Sequence, residues 1–375
     1  MKVTQVAALA HPSQGGIYTA VQCFGKALKT FCSQRVIHFC SRSEASAKDP
    51  DWSEIYTSDS PLGRHYGYCT SDQRAMAAAL LHKSDFVIVH VPFRYHAGFT
   101  ANICKKLDIP FVFVPHGAFD PIVFTYRRIR KRLWLQGPGA NVVRGARRII
   151  YATEMERLKA EREIGQRNGA VIPWPVDQIN LQRDDACSEL RIRLGLEPGR
   201  MILSYVGRLN AKKRPIELIR AFRTVSPANW TLVIAGPEDD LDRGDILEAI
   251  GDCADVMYIG PVFGAEKWQL LAGSDAIGLI SQKENFSFVV AEALSVSTPV
   301  LISSEMDIAS EVLGKGCGVV VHGDGEALVS GLRSLTSYPE AYRRGMGDLG
   351  RNWVVNDLSQ ASFTMKLKQL MAINQ

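Results

Sequence analysis

The sequence predicts an α/β protein of two domains, each built on a doubly wound parallel sheet. Short apolar runs recur along the chain, their apolar residues are continuous, and segments with helical patterning separate them. Continuous apolar runs are typical of strands that are covered on both faces. Strands that alternate with helices indicate βαβ units. The 375 residues are enough to build two such cores.

The predicted strands fall into two groups. The first comprises 2–9, 35–41, 85–91, 110–116 and 147–153, and the second 201–207, 230–236, 256–260, 275–281, 299–303 and 317–321. Helical patterns lie between strands, for example at 215–225 and 266–273, and a last amphipathic helix is predicted near the C-terminus. Pro173, Trp174 and Pro175 interrupt regular structure between the groups. We therefore expect domains at 1–172 and 173–354, with a helix over about 355–375.

The composition favours a cytoplasmic protein without a structural metal. Hydrophobic residues make up 46% of the chain and charged residues 22%, as in soluble globular proteins. The apolar runs have the length of strands, so none predicts a membrane span. The eight cysteines form no CxxC pair and no zinc-binding spacing, which favours reduced thiols over a disulfide framework.

Open parallel sheets bind ligands at the carboxyl ends of their strands, so the residues there are the candidates. Gly15 and Gly16 follow the first strand, and they indicate either an anion-binding helix start or a plain tight turn. Arg208 and Lys213 follow strand 201–207, where a helix begins near Pro215. Two cations with helix amides predict a phosphate site, and a basic surface turn is the alternative. Lys212 and Arg214 are interpreted as their solvated neighbours.

Two carboxylates follow strand 275–281. Glu284 lies in the loop, and the next helix is expected to begin at Phe286 or Ser287. A carboxylate near a helix start can simply complement the helix dipole. Glu292, however, lies within an apolar stretch, and buried carboxylates need partners. A sugar diol is such a partner, so we expect Glu292 to hold a ribose and Glu284 a hexose hydroxyl.

The order of these motifs resembles the retaining GT-B glycosyltransferases of family 4 (glycosyl transferases group 1). The resemblance runs through VGRLNAKKRPIELIRAF, LVIAGPE, VMYIGPV and ISQKENFSFVVAEALSVSTPVLIS, and it touches SQGGI, VPHGAFDP and IPWPVD in the first half. It implies two Rossmann-like domains that face a cleft, with a nucleotide-sugar donor on the C-terminal domain and the acceptor on the N-terminal one. It also implies that the last helix packs back on the first domain.

The resemblance also implies roles for single residues of the second half. Arg208 and Lys213 match the diphosphate ligands, Glu284 the donor-sugar ligand and Glu292 the ribose ligand. Within the donor-binding segment 285–287, the backbone amides of Phe286 and Ser287 lie near the phosphate. The family often has glycine where this chain has Asn285, Ser287 and Ser297. We expect asparagine to tolerate a left-handed conformation and the Cβ of serine to alter the pose of the sugar.

In the first half, Gly15 and Gly16 match a glycine loop that faces the donor phosphates, and His116 matches a histidine near the reacting centre. The expected catalytic set is therefore His116, Arg208, Lys213 and Glu284. The resemblance implies transfer with retention and without a general base. Asp49 and Asp51, and Asp240 and Asp242, form the DxD sequences that could hold a metal, and neither is favoured. We expect no metal and no cofactor, with a GDP- or UDP-linked sugar as donor substrate.

A basic segment with aromatic residues lies in the first half. No acidic residue occurs between Asp120 and Glu154. The predicted acceptor or membrane contacts are Arg127, Arg128, Arg130, Lys131, Arg132 and Trp134. Basic and aromatic residues together favour an anionic surface or a lipid-linked acceptor, and a solvated basic helix is the alternative. Nucleic acid is disfavoured because no nucleic-acid-binding module surrounds the segment.

These features predict a cytoplasmic hexosyltransferase, peripheral on the inner leaflet of an anionic membrane. It would act on a glycan or lipid-linked acceptor in surface polysaccharide or glycolipid biosynthesis. A sugar-nucleotide epimerase on a similar fold and a non-catalytic glycan- or membrane-binding protein are the alternatives. An epimerase would act on the donor without an acceptor, and the binding protein would not need the complete set of charged residues.

Overall fold

A computed structural model describes residues 1–8, 10–11, 15–42 and 51–372. The chain divides into two compact units. Unit 1 contains Met1–Trp174 and the segment that begins at Gln360, and unit 2 contains Pro175–Ser359. The chain thus passes from unit 1 to unit 2 after Trp174 and returns after Ser359. The expected boundary between residues 172 and 173 lies beside the first passage.

Unit 1 has, among its described residues, a seven-stranded parallel sheet in the order β3-β2-β1-β4-β5-β6-β7. Its strands are β1 Lys2–Ala8, β2 Ser33–Cys40, β3 Trp52–Tyr56, β4 Phe86–His90, β5 Phe111–Val114, β6 Ile149–Tyr151 and β7 Gly169–Val171. The helices between them are α1 Gly16–Leu28, α2 Pro61–Tyr66, α3 Ser71–Leu81, α4 Tyr95–Leu107, α5 Pro121–Thr125, α6 Arg128–Gln136, α7 Pro138–Gly145 and α8 Glu154–Ile164.

Unit 2 has a six-stranded parallel sheet in the order β10-β9-β8-β11-β12-β13. Its strands are β8 Met201–Val206, β9 Trp230–Ala235, β10 Val256–Tyr258, β11 Ala276–Leu279, β12 Val300–Ser303 and β13 Gly318–Val321. Its helices are α9 Arg183–Arg193, α10 Pro215–Val225, α11 Arg243–Ile250, α12 Gly264–Gly273, α13 Phe288–Ser295, α14 Ala309–Lys315, α15 Glu326–Ser337 and α16 Glu340–Asp357. Helix α17, Gln360–Ala372, returns to unit 1.

The central strands are the ones that the sequence predicts, because they are buried on both faces. Every residue of β4, β5, β9, β11 and β12 is buried. The sequence prediction missed β3 and β7, which are the two edge strands of unit 1. Only one residue of β3 and none of β7 is fully buried, so neither shows a continuous apolar run.

The strand order reverses once in each sheet, and this reversal locates the expected binding edges. In unit 1, β1 lies between β2 and β4, and in unit 2, β8 lies between β9 and β11. The chain leaves β1 towards β2 and leaves β4 towards β5, on the opposite side of the sheet, and β8 and β11 diverge in the same way. Such a divergence opens a crevice at the carboxyl ends of the two strands. The segments after β1 and β4, and after β8 and β11, are therefore the ones to examine.

Helix α17 packs on α1 inside unit 1. The side-chain amide of Gln360 donates to the carbonyl of Cys23 at 3.2 Å, and Phe363 meets the ring of Phe24 edge-on at 5.0 Å between centroids. The predicted C-terminal helix therefore exists, although α16 and α17 are separate helices with a break at Leu358 and Ser359. In the described part of the chain, helices long and apolar enough to cross a membrane are absent.

Candidate functional site

An ion pair joins the two loops at the crevice of unit 2. The Nζ of Lys213, after β8, lies 2.6 Å from Oε1 of Glu284, after β11, and both side chains are largely buried. The backbone confirms the contact between the loops, since the amide of Gln282 donates to the carbonyl of Lys212 at 2.8 Å. Two predicted site residues, 71 positions apart in sequence, are thus brought together by the strand order.

Arg208 lies on the same loop in a more open setting. Its guanidinium is 2.9 Å from Asp239, and its side chain remains 62% exposed. The hydroxyl of Tyr205 donates to the carbonyl of Arg208 at 2.7 Å, which fixes the backbone of the loop. Because an exposed ion pair contributes little free energy, Arg208 can exchange Asp239 for another anion at small cost.

The start of helix α13 offers backbone amides beside this ion pair. The helix begins at Phe288, after the capping residue Ser287, which is slightly later than predicted. Neither a side-chain cap nor an acidic residue occupies its first turn. Phe286 is 2% exposed and anchors the turn against the ring of Phe288. The first amides of a helix have no partner within it, so they can bind an anion.

The backbone explains two of the three departures from the family pattern. Ser287 has φ of 57° and Ser297 has φ of 60°, so both serines adopt the left-handed conformation that favours glycine. Asn285 is not among the residues with positive φ. The tolerance of asparagine for that conformation is therefore not needed at position 285, and the strain is at the two ends of α13.

Glu292 has a partner that the sequence did not reveal. The Nζ of Lys267, on α12, lies 2.6 Å from Oε1 of Glu292, and the carboxylate side chain is only 14% exposed. Lys267 already supplies a partner for this carboxylate, and the contact of Glu292 with a ribose stays a prediction. The two residues lie on different helices, so no local pattern links them.

The interpretation of Arg214 as a solvated residue is wrong. Arg214 is 8% exposed and has φ of 53° at the start of α10. Its guanidinium lies 3.4 Å from Glu305 and 3.4 Å from Asp324, which follow β12 and β13. It therefore ties the loop after β8 to two other loops of the same sheet edge. Its neighbour Lys212 is exposed, as expected.

The carboxylates of the DxD sequences have structural roles where the structure describes them. Asp240 accepts a hydrogen bond from the amide of Ala211 at 2.9 Å, and Asp242 caps α11. Asp51 pairs with Lys29 at 2.6 Å, whereas Asp49 lies outside the described residues. Elsewhere in unit 1, potential ligand atoms of His38, Cys40 and Glu54 lie within 4.8 Å of one another.

His116 follows β5 in unit 1 and is held by its neighbours. It has φ of 52°, and its Nε2 lies 3.0 Å from Nδ1 of His90. The next amide, of Gly117, donates at 2.6 Å to the buried carboxylate of Glu156, a supporting residue that the sequence analysis missed. Desolvation by burial lowers the pKa of His116 to about 3. Its imidazole is therefore neutral at physiological pH.

Gly15 caps helix α1 after β1, so it lies on the predicted edge of unit 1. Its φ of 58° requires the left-handed region, and a Cβ added there would meet no atom within 4 Å. Helix α1 begins at Gly16 with no acidic residue and no side-chain cap in its first turn. The arrangement fits both predicted alternatives, an anion-binding helix start and a plain tight turn.

The basic segment divides into side chains that face solvent and side chains that bind within unit 1. Helix α6 has no fully buried residue. Lys131 donates to the carbonyl of Val123, Arg132 pairs with Glu163, and the ring of Trp134 lies 5.0 Å from that of Phe93. Desolvation, with the charges of Arg127 and Arg130, lowers the pKa of Lys131.

The remaining predicted contacts of α6 lie on a surface with exposed apolar side chains. Tyr126 is 69%, Ile129 77% and Leu133 62% exposed. Arg127 stacks on Tyr126, and Arg130 lies 3.8 Å above the ring of Tyr66. Arg127 and Arg130 thus lie beside a stripe of exposed apolar side chains, Tyr126, Ile129 and Leu133. The stripe is an addition to the predicted contacts, since the sequence prediction used charge and aromatic residues alone.

Comparison with protein-family models decides the family. Residues 188–353 match the model described as glycosyl transferases group 1, and residues 15–178 match that of glycosyltransferase family 4. The chain belongs to glycosyltransferase family 4. Solved structures confirm its GT-B fold. The Anabaena protein HepE in complex with UDP covers 99% of this chain, with a TM-score of 0.78 and 17% identity over 100% of its own length.

A second solved structure shares the GT-B fold, and a glycosyltransferase is similar to this chain in sequence. Sucrose-phosphate synthase from Thermosynechococcus elongatus superposes with a TM-score of 0.75, at 16% identity, over 99% of this chain and 98% of its own. A D-inositol 3-phosphate glycosyltransferase of Rhodococcus erythropolis is 31% identical over 160 residues, which are 40% of this chain and 36% of the relative. The chain thus spans about a third of the length of this relative.

Proposed function

We propose that this glycosyltransferase moves a hexose from a nucleoside-diphosphate sugar to a hydroxyl of a glycan or lipid-linked acceptor. The observation that carries the proposal is the group formed by Lys213, Glu284 and the first amides of α13 at the crevice of unit 2. Cations and amides suit a diphosphate, and a carboxylate suits sugar hydroxyls. A group with both kinds of chemistry fits a diphosphate that is linked to a sugar.

Each side chain of the group has a proposed role in donor binding. Lys213, which pairs with Glu284 in this structure, exchanges that carboxylate for the diphosphate. Arg208 exchanges Asp239 for the diphosphate in the same way. Glu284 then accepts a hydrogen bond from a hydroxyl of the donor sugar. Glu292, charge-balanced by Lys267, accepts from the ribose. The amides of Phe286 and Ser287 lie near the phosphate, where Asn285 continues the same loop.

The proposed reaction needs neither a metal nor a protein base. Charge grows on the diphosphate as the bond to the anomeric carbon breaks, and Arg208, Lys213 and the amides stabilise that charge. Burial lowers the pKa of His116, so the proposal does not assign it the proton of the acceptor hydroxyl. The proton passes to the departing phosphate oxygen, and the sugar is transferred with retention by attack from the same face.

The acceptor and the membrane are proposed to meet unit 1 at the surface of α6. Arg127, Arg128 and Arg130 attract anionic headgroups, and the exposed stripe of Tyr126, Ile129 and Leu133 inserts between them. A lipid-linked acceptor would reach the enzyme at that surface. The protein would then act at the inner leaflet, in the synthesis of a surface polysaccharide or a glycolipid.

A thermal-shift screen with UDP, GDP, ADP and their sugars tests the proposal. The Anabaena protein HepE has been solved in complex with UDP and with UDP-glucose, which supports a uridine donor for this chain, with a guanosine donor as the alternative. A ligand at 100 times its Kd stabilises the fold by about 2.7 kcal/mol. Lys213→Ala should abolish the shift, whereas Lys212→Ala, an exposed neighbour, should keep it. If all nucleotides fail to shift the wild type, the donor site is wrong.

Product analysis separates the proposed transferase from an epimerase. The positive donor is incubated alone and with membrane-extracted lipid acceptors. A transferase gives a glycosylated product that depends on the acceptor, whereas an epimerase gives an isomeric nucleotide sugar from the donor alone. Isomerisation without an acceptor would overturn the proposed function.

A further inference from the structure

A chain of hydrogen bonds runs through the crevice of unit 1 to His116. Gln34 on β2, Gln5 on β1 and His90 at the end of β4 form its successive members. The Nε2 of Gln5 donates to Oε1 of Gln34 at 3.1 Å, and Nε2 of His90 lies 3.1 Å from Oε1 of Gln5. The last hydrogen bond joins His90 Nδ1 to His116 Nε2 at 3.0 Å. We call Gln34, Gln5, His90 and His116 the amide–imidazole chain.

A carboxylate at the outer end sets the direction of every hydrogen bond in this chain. The Nε2 of Gln34 lies 3.4 Å from Oδ2 of Asp51, which also pairs with Lys29 at 2.6 Å. An ionised carboxylate only accepts hydrogen bonds, so Gln34 must point its amide nitrogen at Asp51. Its carbonyl oxygen then faces Gln5, which must present its own amide nitrogen. The carbonyl oxygen of Gln5 is consequently the atom that faces His90.

The direction of the chain determines the tautomers of both histidines. A carbonyl oxygen accepts, so His90 carries its proton on Nε2, and Nδ1 of His90 is left as an acceptor. His116 therefore carries its proton on Nε2 and donates it to His90. Burial lowers the pKa of His90 well below its usual value, with smaller effects from His116 and His96, so both rings of the chain are neutral.

The surroundings bury the two inner members of the amide–imidazole chain. Gln5 and His90 are fully buried. Gly25 of α1 lies over both amides, since a Cβ there would stand 3.6 Å from Gln34 and 3.7 Å from Gln5. The ring of Phe24 meets His90 edge-on at 5.3 Å. Water is excluded from Gln5 and His90, which strengthens their hydrogen bonds and makes a reversed direction costly there.

We propose that Gln5 and His90 are positioning residues that fix His116 as the neutral Nε2–H tautomer, so that its Nδ1 is an obligatory hydrogen-bond acceptor for a substrate hydroxyl. The ring of His116 bonds to His90 through Nε2, and within the described part of the chain no group donates a hydrogen bond to its Nδ1. An acceptor atom repels phosphate and carboxylate oxygens and binds hydroxyl groups. Resting on the proposed function, this inference assigns His116 to a sugar hydroxyl of either substrate and not to the diphosphate.

Nitrogen NMR of the protein labelled with ¹⁵N-histidine tests the inference without any substrate. Long-range ¹⁵N–¹H correlation at pH 7 distinguishes protonated from bare ring nitrogens, and His116→Asn assigns the signals. We expect wild-type His116 to have a protonated Nε2 and a bare Nδ1. A protonated Nδ1, alone or in an imidazolium, would overturn the inference whatever the activity of the enzyme.

The variant Gln5→Met tests whether the chain controls the tautomer. Methionine fills the volume of glutamine without accepting from His90, and a buried donor without a partner is costly. His90 should then move its proton to Nδ1 and donate to His116, whose own proton moves to Nδ1. Thr4→Val is the matched control, because Thr4 lies on the same strand as Gln5 and its substitution also removes a buried hydrogen bond, here to Ser84. It should leave the tautomer of His116 unchanged.

Activity measurements then link the tautomer to the substrate. With the donor identified, Gln5→Met should lower kcat/KM about tenfold or more, and Thr4→Val should not. An unchanged tautomer in Gln5→Met, or a swapped tautomer with full kcat/KM, would refute the positioning role. If the enzyme transfers no sugar at all, the NMR result still decides the tautomer, so the two failures are distinguishable.

Discussion

The crevices of the two units lie at the same point of their sheet topologies, but the side chains that line them differ in charge. In unit 2, side chains at the carboxyl ends of β8 and β11 are charged and pair with one another, as Lys213 does with Glu284. In unit 1, those at the ends of β4 and β5 are neutral imidazoles, His90 and His116. Ion pairs can be exchanged for the charges of a diphosphate. The amide–imidazole chain is neutral and its hydrogen bonds run in one fixed direction, so it can instead distinguish hydrogen-bond donors from acceptors.

The largest expected effect is a greater sensitivity of unit 1 to acid. Burial lowers the pKa of His96 to about 4 and that of His116 to about 3, from an ordinary 6.5. Below pH 6.5 the unfolded chain binds protons that the folded chain does not. The stability is therefore complete above pH 6.5 and is lost as the pH falls towards the folded pKa values. Together the two histidines should lower the free energy of unfolding at pH 5 by about 4 kcal/mol relative to its value above pH 6.5.

Hydrogen exchange at pH 7 and pH 5 measures this difference within one molecule. Strands β4 and β5 should lose protection on acidification, and β9 and β11 should serve as the internal control, since His322 is the one histidine of unit 2. His96→Gln should reduce the pH slope by about 1.4 kcal/mol per pH unit. The comparison fails if the strands of unit 2 lose protection first.

The second prediction concerns the charged crevice. Lys213→Ala or Arg208→Ala should lower kcat by about 10²–10³, as does removal of one preorganised donor from an oxyanion site. The loss should exceed the loss in donor affinity, because charge on the diphosphate grows towards the transition state. Lys213→Arg should not restore full activity, since a planar fork does not replace a point charge. Steady-state kinetics with saturating donor provides the measurement.

Lys212→Ala is the matched control for this prediction, because Lys212 is exposed in the same turn. It should leave kcat unchanged. The activity should also survive excess EDTA. A rate that EDTA abolishes and Mg²⁺ or Mn²⁺ restores would contradict the metal-free mechanism, and Asp240 and Asp242 would then need to leave their present hydrogen bonds.

The third prediction is a charge effect in unit 1 that lies outside its neutral crevice. Replacement of Arg127, Arg128 and Arg130 by glutamine should weaken binding to phosphatidylserine vesicles at low salt by about 3 kcal/mol, or roughly 100-fold in affinity. Sedimentation with the vesicles measures the affinity. Arg132→Gln should have a smaller effect than any of these three substitutions, because Arg132 pairs with Glu163. Equal losses for all four arginines would mean that the proposed contact surface is wrong.

The smallest expected effect separates strain from function at the two ends of α13. Ser287→Gly and Ser297→Gly each relieve a left-handed serine, and each should stabilise the fold by up to about 1 kcal/mol after the entropy of glycine is counted. Only Ser287 caps the helix start that faces the proposed phosphate. Ser287→Gly should therefore change KM for the donor, and Ser297→Gly should not. Chemical denaturation and donor kinetics measure the two effects.

The sequence predicted what local patterns encode. Continuous apolar runs predicted the central strands, and the residues after β8 and β11 predicted the charged group of unit 2. The edge strand β3 was missed because its pattern is half exposed. The partners of the site residues were missed for a different reason. Lys267 and Glu292 lie 25 positions apart, and Gln5 and His90 lie 85 positions apart, so only the tertiary fold brings them together.

Departures from a family pattern were informative to different degrees. At positions 287 and 297 the unusual serines mark backbone that is strained for any residue with a Cβ. At position 285 the unusual asparagine has no such backbone. Arg214 is the converse case, because a charged residue beside two lysine neighbours gave no sign of burial. Burial of a cation depends on the acidic partners that surround it, here Glu305 and Asp324 from distant loops.

The return of helix α17 to unit 1 has a consequence for synthesis on the ribosome. Phe363 of α17 packs on Phe24, a residue made more than three hundred positions earlier. During translation all residues of unit 2 are therefore synthesised before α17 can cover the aromatic surface of Phe24 and Trp174. Unit 1 therefore completes this packing only after α17 has been synthesised, and apolar surface that is exposed in the meantime favours aggregation.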